Sequence, residues 1–80
     1  MPHRVLRWLQ PPDGEKWIGF HEGLEVALVW PEGMRGNHLA AWRWQLIARK
    51  ASGRVDGTEN EVRDRLAAQS AAENEYFERH

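Results

Sequence analysis

Residues able to do chemistry are few in this chain and lie far apart. The four histidines, at positions 3, 21, 38 and 80, lack the His-x-x-x-His spacing of metal ligands. Ser52 and Ser70 have no adjacent histidine to act as a base, and no cysteine is present to act as a nucleophile. Glu22 and Glu25 form a carboxylate pair, which we expect to be solvated at a turn. We therefore predict no catalytic residue, no metal site and no cofactor, and we expect the protein not to be an enzyme.

Side chains suited to binding are more plentiful. The chain has five tryptophans, and Trp and Arg are the residues most enriched in protein-interface hot spots. Alternation along the expected strands turns one set of side chains outward, namely Trp17, His21, Arg43, Gln45 and Arg49. Such a face could bind a protein, or it could stack the bases of single-stranded nucleic acid on its aromatic ring. The alternative is that neighbours partly cover Trp17 and that the arginines form a solvated surface.

Two further segments are candidate binding sites. Residues 31–38 are rich in Pro and Gly and are expected to form the longest loop. Met34 and Arg35 at its tip would offer adaptable contact surface to a partner, unless the loop is a plain connector. Near the C-terminus, Tyr76 and Phe77 lie among glutamates. They either seal the lower core or form an acidic, aromatic docking surface.

Strands are expected to position most of these residues. Residues 5–9, 16–21 and 24–30 read as strands, with a tight hairpin turn at Glu22-Gly23. Residues 39–51 are ambiguous, because they contain good helix formers but also alternate in polarity. We favour a strand, followed by a turn at Ser52-Gly53 and a short return strand.

A capped helix is expected to close the chain. Thr58 and Glu61 have the spacing of a capping box, which predicts a helix from about 59 to 77. The fold predicted for this single domain, residues 1–80, is α+β. An antiparallel meander of four to five strands, within about residues 3–56, packs against the C-terminal helix as a two-layer sandwich. The predicted core face holds Ile18, Phe20, Leu24, Val26, Leu28, Trp30, Trp42, Trp44 and Leu46, with Val62 and Leu66 from the helix.

Composition narrows the class of protein. The chain has 80 residues, a formal net charge of −1 and no cysteine. Residues 1–54 carry eight Lys and Arg against five Asp and Glu, whereas residues 55–80 carry three against seven. This lacks the clear basic excess of a strong nucleic-acid binder. Without a signal peptide or a bilayer-spanning apolar segment, the sequence predicts a soluble, cytoplasmic protein that does not bind membranes.

The small size and the aromatic and arginine side chains favour a non-enzymatic protein–protein interaction module. We expect an adaptor or an inhibitor of a larger macromolecular machine. The order of a Trp-x-Trp strand, a glycine turn and a capped helix over residues 42–77 is similar to that of small phage and mobile-element proteins. This resemblance is architectural and has no diagnostic motif. The alternative is a nucleic-acid-binding module that uses Trp17, Arg43 and Arg49, whose affinity would fall steeply with added salt.

Overall fold

The fold is a five-stranded antiparallel sheet with one helix packed on one of its faces. The computed structural model describes residues 5–78, apart from the side chains of Arg35 and His38. The elements are β1 (Arg7–Leu9), β2 (Trp17–His21), β3 (Leu24–Arg35), β4 (His38–Leu46), β5 (Ser52–Asp56) and α1 (Glu61–Glu78). Neighbours along the chain are neighbours in the sheet, in the order β1-β2-β3-β4-β5. The predicted α+β meander is confirmed, and residues 38–46 form a strand rather than a helix.

The expected loop at residues 31–38 is instead the end of a long hairpin. β3 continues to Arg35, and β4 begins at His38. Pro31 is tolerated inside β3 because its nitrogen does not point toward β4, with which this part of β3 is paired. Ile47 N donates to Val26 O at 2.9 Å, so alternation turns the nitrogen of Pro31 away from β4. The nitrogen of Pro31 points to the side of β3 that pairs with β2. The last pair on that side is Trp17 with Val29, so no strand carbonyl there needs the N–H that proline lacks.

The side of the sheet that faces the helix differs in part from the predicted core face. Trp42 and Leu46 are buried and Trp44 is half-buried against them, as expected. In β3, however, Ala27 and Val29 lie under the helix, and alternation turns Leu28 and Trp30 to the opposite face. Ile18 and Phe20 also lie on that opposite face, and Leu24 is 69% exposed.

A break in the strand alternation explains part of this difference. The pairing of β2 with β3 shifts between Gly19 and Phe20, so Val26 becomes an extra residue in β3. Both Val26 and Ala27 are therefore buried. Val26 is confirmed as a core residue, but the face predicted for the rest of β3 from a strict period of two is wrong.

The helix packs through alanines rather than through its larger apolar side chains. Ala68 and Ala72 are fully buried, whereas Val62 and Leu66, which were predicted to lie in the core, are 59% and 50% exposed. Indole rings already fill the space above the sheet, since Trp8, Trp17, Trp42 and Trp44 all pack in the cluster around Ala68. Small side chains let the helix approach this bulky layer closely, and larger ones are turned outward.

The start of the helix is capped by Asn60, not by Thr58. Asn60 Oδ1 accepts a hydrogen bond from the Arg63 N–H at 3.1 Å, and Asn60 O accepts from Asp64 N at 2.9 Å. These are the bonds of an N-cap residue. Glu59 has a φ of 73°, so the chain is not helical between Thr58 and Asn60. The capping box predicted at Thr58 is therefore wrong, and α1 begins at Glu61.

Candidate functional site

The face of the sheet opposite α1 is not covered by any element within residues 5–78. We call it the open face. Cross-strand pairing aligns its side chains in rows. The longest is Leu9–Ile18–Leu28–Gln45–Ser52, and Trp30–Arg43–Arg54 lies beside it. An antiparallel sheet with one covered face normally presents polar side chains on the other. This open face instead has an apolar centre.

A groove occupies that apolar centre. Its volume is about 450 Å³, and its floor is formed by the half-buried side chains of Ile18, Leu28 and Trp30. Pro11, Pro31 and the connection between β1 and β2 form its walls. Because most of its lining is apolar, the groove suits the apolar side chain of a partner.

Charged side chains border the groove. Lys16 Nζ lies 5.4 Å from the centroid of the Trp30 ring, a cation–π contact. Arg43 Nε donates to Glu32 Oε2 at 2.6 Å, one strand away from Trp30. This hydrogen bond, together with the positive charges of Arg43 and Arg54, lowers the pKa of Glu32 despite some desolvation. Charges of both signs therefore lie around the half-buried indole of Trp30.

A second recess lies on the same face, at the opposite end of β2. It has a volume of about 440 Å³ and is lined by Arg7, Leu9, Phe20, Glu22 and Gly23. Leu9 is 46% exposed. The apolar surface therefore extends from the Trp30 groove toward the turn between β2 and β3.

The outward set predicted from the sequence is divided between the two faces. Arg43 and Gln45 lie on the open face. Trp17 lies on the helix side, where the Arg65 guanidinium is 4.1 Å from its ring centroid. His21 and Arg49 also turn to the helix side: His21 Nδ1 is 2.9 Å from the Tyr76 hydroxyl, and Arg49 Nη1 donates to Tyr76 O at 3.1 Å. The predicted grouping of Trp17, His21, Arg43 and Arg49 on one face is therefore wrong.

The two candidates in the expected loop lie at the end of the hairpin. Met34 is 61% exposed, and the backbone of Arg35 pairs with that of His38. The side chain of Arg35 lies outside the described residues. Met34 lies four residues beyond Trp30 on β3, but it is not among the residues that line the groove.

Tyr76 and Phe77 close the lower end of the core. Both are partly buried and pack against the cluster formed by Leu6, Val26 and Ala72. Their rings also meet the His21 ring edge-to-face, at centroid distances of 5.3 and 5.4 Å. Of the two interpretations of the sequence, the one in which these aromatics seal the core fits their position.

The floor of the groove, Ile18, Leu28 and Trp30, was predicted from the sequence to lie in the core, as was Phe20 of the second recess. The signal for a different assignment was present in β3, where large apolar residues alternate with the small Ala27 and Val29. The helix is rich in alanine, and β3 has small side chains on one face and large ones on the other. This combination favours placing the small face of β3 under the helix.

Neither a group of metal ligands nor a membrane-spanning helix is found in the described part of the chain. No group of three or more His, Asp or Glu side chains within residues 5–78 could hold a metal ion. The helix found there is not apolar enough to cross a bilayer. Comparisons of the chain with models of protein families, with curated proteins and with solved structures found no match.

Proposed function

We propose that this protein is a non-enzymatic protein-binding module, an adaptor or inhibitor, whose partner occupies the open face of the sheet. The observation that carries the proposal is the apolar groove floored by Ile18, Leu28 and Trp30. Trp is among the residues that most often dominate interface energies, and here Trp30 is half-buried in the lining of the groove. A partner would insert an aliphatic or aromatic side chain beside the Trp30 ring.

The charges around the groove suit a protein partner better than a polyanion. Asp13 and Glu15 line the groove together with Lys16, and Arg43 is already paired with Glu32. Mixed charges at the border of an apolar centre are typical of protein interfaces. Nucleic-acid binding has less support, because Trp17 and Arg49 lie on the covered side of the sheet, away from Arg43.

Replacement of Trp30 tests the proposal. The partner is captured from the native host with the wild-type protein, identified by mass spectrometry, and its affinity is then measured with purified components. Trp30→Ala should weaken binding by about 2 kcal/mol or more, the usual threshold of a hot spot, which is roughly thirtyfold in Kd. The fold should persist, because Trp30 lies outside both buried clusters.

Leu66→Ala provides the matched control. Leu66 is a large apolar residue that is 50% exposed, but it lies on the helix, on the other side of the molecule. Its replacement should leave the affinity unchanged. Equal losses in the two variants, or none with Trp30→Ala, would contradict the proposed surface. Capture of a nucleic acid with a steep loss of affinity in added salt would favour the alternative module.

A further inference from the structure

The outer edge of β5 has backbone groups that no other strand within residues 5–78 pairs with. An antiparallel ladder directs the N–H and C=O groups of alternate residues to opposite neighbours. Leu46 N donates to Ala51 O at 2.9 Å, and Gly57 N donates to Ala40 O at 2.8 Å. Between these two bonds, residues 53 and 55 must face β4. The backbone groups of Ser52, Arg54 and Asp56 therefore point away from the sheet.

The other edges of the sheet are protected. On β1, the outward N–H of Leu6 donates to Glu73 Oε2 at 2.8 Å, and Pro11-Pro12 follow shortly after the strand. On the part of β3 that extends past β2, Pro31 removes an outward donor. Such devices prevent a foreign strand from pairing with a sheet edge.

The edge of β5 has no comparable device. Ser52, Arg54 and Asp56 are all exposed. None of the backbone–backbone hydrogen bonds formed outside the ladders by residues 5–78 involves them. Arg54 Nε lies 3.5 Å from Asp56 Oδ1, but the two side chains are 48% and 80% exposed, and ion pairs this exposed are weak. Both charges are therefore available to a strand that pairs alongside.

We propose that β5 pairs antiparallel with β5 of a second copy of this chain, with Val55 on the two-fold axis. The sequence Arg54-Val55-Asp56 is self-complementary in charge. Reversal of the strand direction places Arg54 of each copy opposite Asp56 of the other. Opposite charges directly across a strand pair are favourable, whereas like charges are unfavourable.

Charge also favours this register over the one centred on Arg54. Pairing that centred the axis on Arg54 would use the same outward backbone groups, but it would place two arginines opposite each other. With Val55 on the axis, the two valines meet on the helix side, where each already packs beside Trp42 and Ala68. The outward groups of Arg54 and Asp56 then exchange N–H···O=C bonds with their counterparts.

The helices leave room for this pairing. α1 packs mainly against β4, so the two helices of a dimer would be separated by about three strand spacings, or roughly 14 Å. Packed helices approach to about 8–10 Å, so the two helices would not collide. A two-fold axis perpendicular to the sheet keeps both helices on one side and joins the two open faces into one. This inference does not depend on what the open face binds.

Charge reversal tests the pairing by sedimentation equilibrium over a wide range of concentration. The wild-type protein should show a reversible dimer of twice the 9.3 kDa chain mass. Arg54→Asp and Asp56→Arg should each be monomeric, because each places like charges opposite one another. The double variant, R54D/D56R, should dimerise again, since the charges are exchanged but still complementary. An equimolar mixture of the two single variants should form a heterodimer.

Arg63→Asp is the control, because it makes the same change of charge at an exposed site on the helix. It should leave dimerisation unchanged. Amide exchange gives an independent measurement: the N–H groups of Arg54 and Asp56 should exchange more slowly as the concentration of the wild-type protein rises. A monomeric wild type would overturn the proposal. Single variants that dimerise as the wild type does, or a monomeric double variant, would also overturn it.

Discussion

Asp64 lies beneath the first turn of α1 with 3% of its surface exposed. Thr58 donates two hydrogen bonds to its carboxylate, from the backbone N–H at 2.7 Å and from the hydroxyl at 2.6 Å. A buried carboxylate is costly unless it is hydrogen-bonded. Thr58 therefore holds the chain before the helix to the helix itself, a role different from that of an N-cap.

Loss of the Thr58 hydroxyl should destabilise the protein. Thr58→Ala removes one of these hydrogen bonds and leaves a buried oxygen of Asp64 with fewer partners, so the free energy of unfolding should fall by about 1–3 kcal/mol. Thr58→Ser keeps the hydroxyl and should stay close to wild type. Urea titrations of the three proteins measure the difference. A loss in the Ser variant as large as in the Ala variant would assign the effect to the methyl group.

The spacing of residues in the sequence predicted the wrong N-cap for α1, because it does not decide between Thr58 and Asn60. Thr58 and Asn60 are both residue types that cap helices, and Thr58 also has Glu61 three residues ahead. The sequence therefore predicts a helix start near this point, and this is correct to within two residues. Which residue becomes the cap depends on the burial of Asp64 against the sheet, because that contact engages Thr58. Such a tertiary contact is not encoded in local spacing.

At the level of elements, two strand pairs are joined by an indole lying over a glycine. Trp8 pairs with Gly19 between β1 and β2, and Trp44 pairs with Gly53 between β4 and β5. A Cβ added at Gly53 would lie 2.5 Å from atoms of the Trp44 indole. Glycine in a strand is otherwise unfavourable, so here it is retained because only hydrogen fits beneath the ring.

Gly53→Ala should therefore destabilise the protein, although alanine is the less flexible residue. Displacing the Trp44 ring from its position should lower the free energy of unfolding by about 1–3 kcal/mol, as overpacking does. Gly14→Ala is the matched control, because a Cβ there meets nothing within 4 Å. Its effect should stay within about 0.5 kcal/mol. Thermal denaturation followed by circular dichroism measures both, and equal midpoints for the two variants would contradict the close packing inferred here.

Alternation predicted that the strands exist and which side chains of β4 face the helix, but the facing of β3 also required the sizes of its side chains to be considered. Alternation identified β3 and β4, because period-two polarity depends on the chain alone. One helix can cover only one face of the sheet, and β3 has apolar residues on both. The choice is made by size: Ala27 and Val29 fit between the sheet and the alanines of α1, and Leu28 and Trp30 do not. Because the sequence prediction did not consider side-chain size, it placed Leu28 and Trp30, which form part of the groove floor, in the core.

At the scale of the whole molecule, side-chain hydrogen bonds attach the start of the helix to the segment that follows β5 and its second half to the sheet and the start of β1. Asp64 binds Thr58 near the start of α1, Glu73 accepts hydrogen bonds from Leu6 N and Trp8 Nε1, and the Tyr76 hydroxyl contacts His21 near the end. The buried alanines between these points contribute little apolar area of their own. The helix therefore depends on the sheet for its stability, since most of the stability of a helix in a protein comes from tertiary packing rather than from intrinsic propensity.

We accordingly expect the helix and the sheet to unfold in one cooperative transition. Far-ultraviolet circular dichroism reports mainly on α1, and tryptophan fluorescence reports on the indole layer between α1 and the sheet. Their midpoints in urea should coincide, as they do for two-state domains. Glu73→Ala removes the hydrogen bonds that join α1 to Leu6 and Trp8 and should lower both midpoints by the same amount. Glu78→Ala, at an exposed glutamate of the same helix, serves as the comparison for removal of a carboxylate. A helix signal lost at lower urea than the fluorescence signal would show that α1 detaches first and that its hydrogen bonds to the sheet do not couple the two layers.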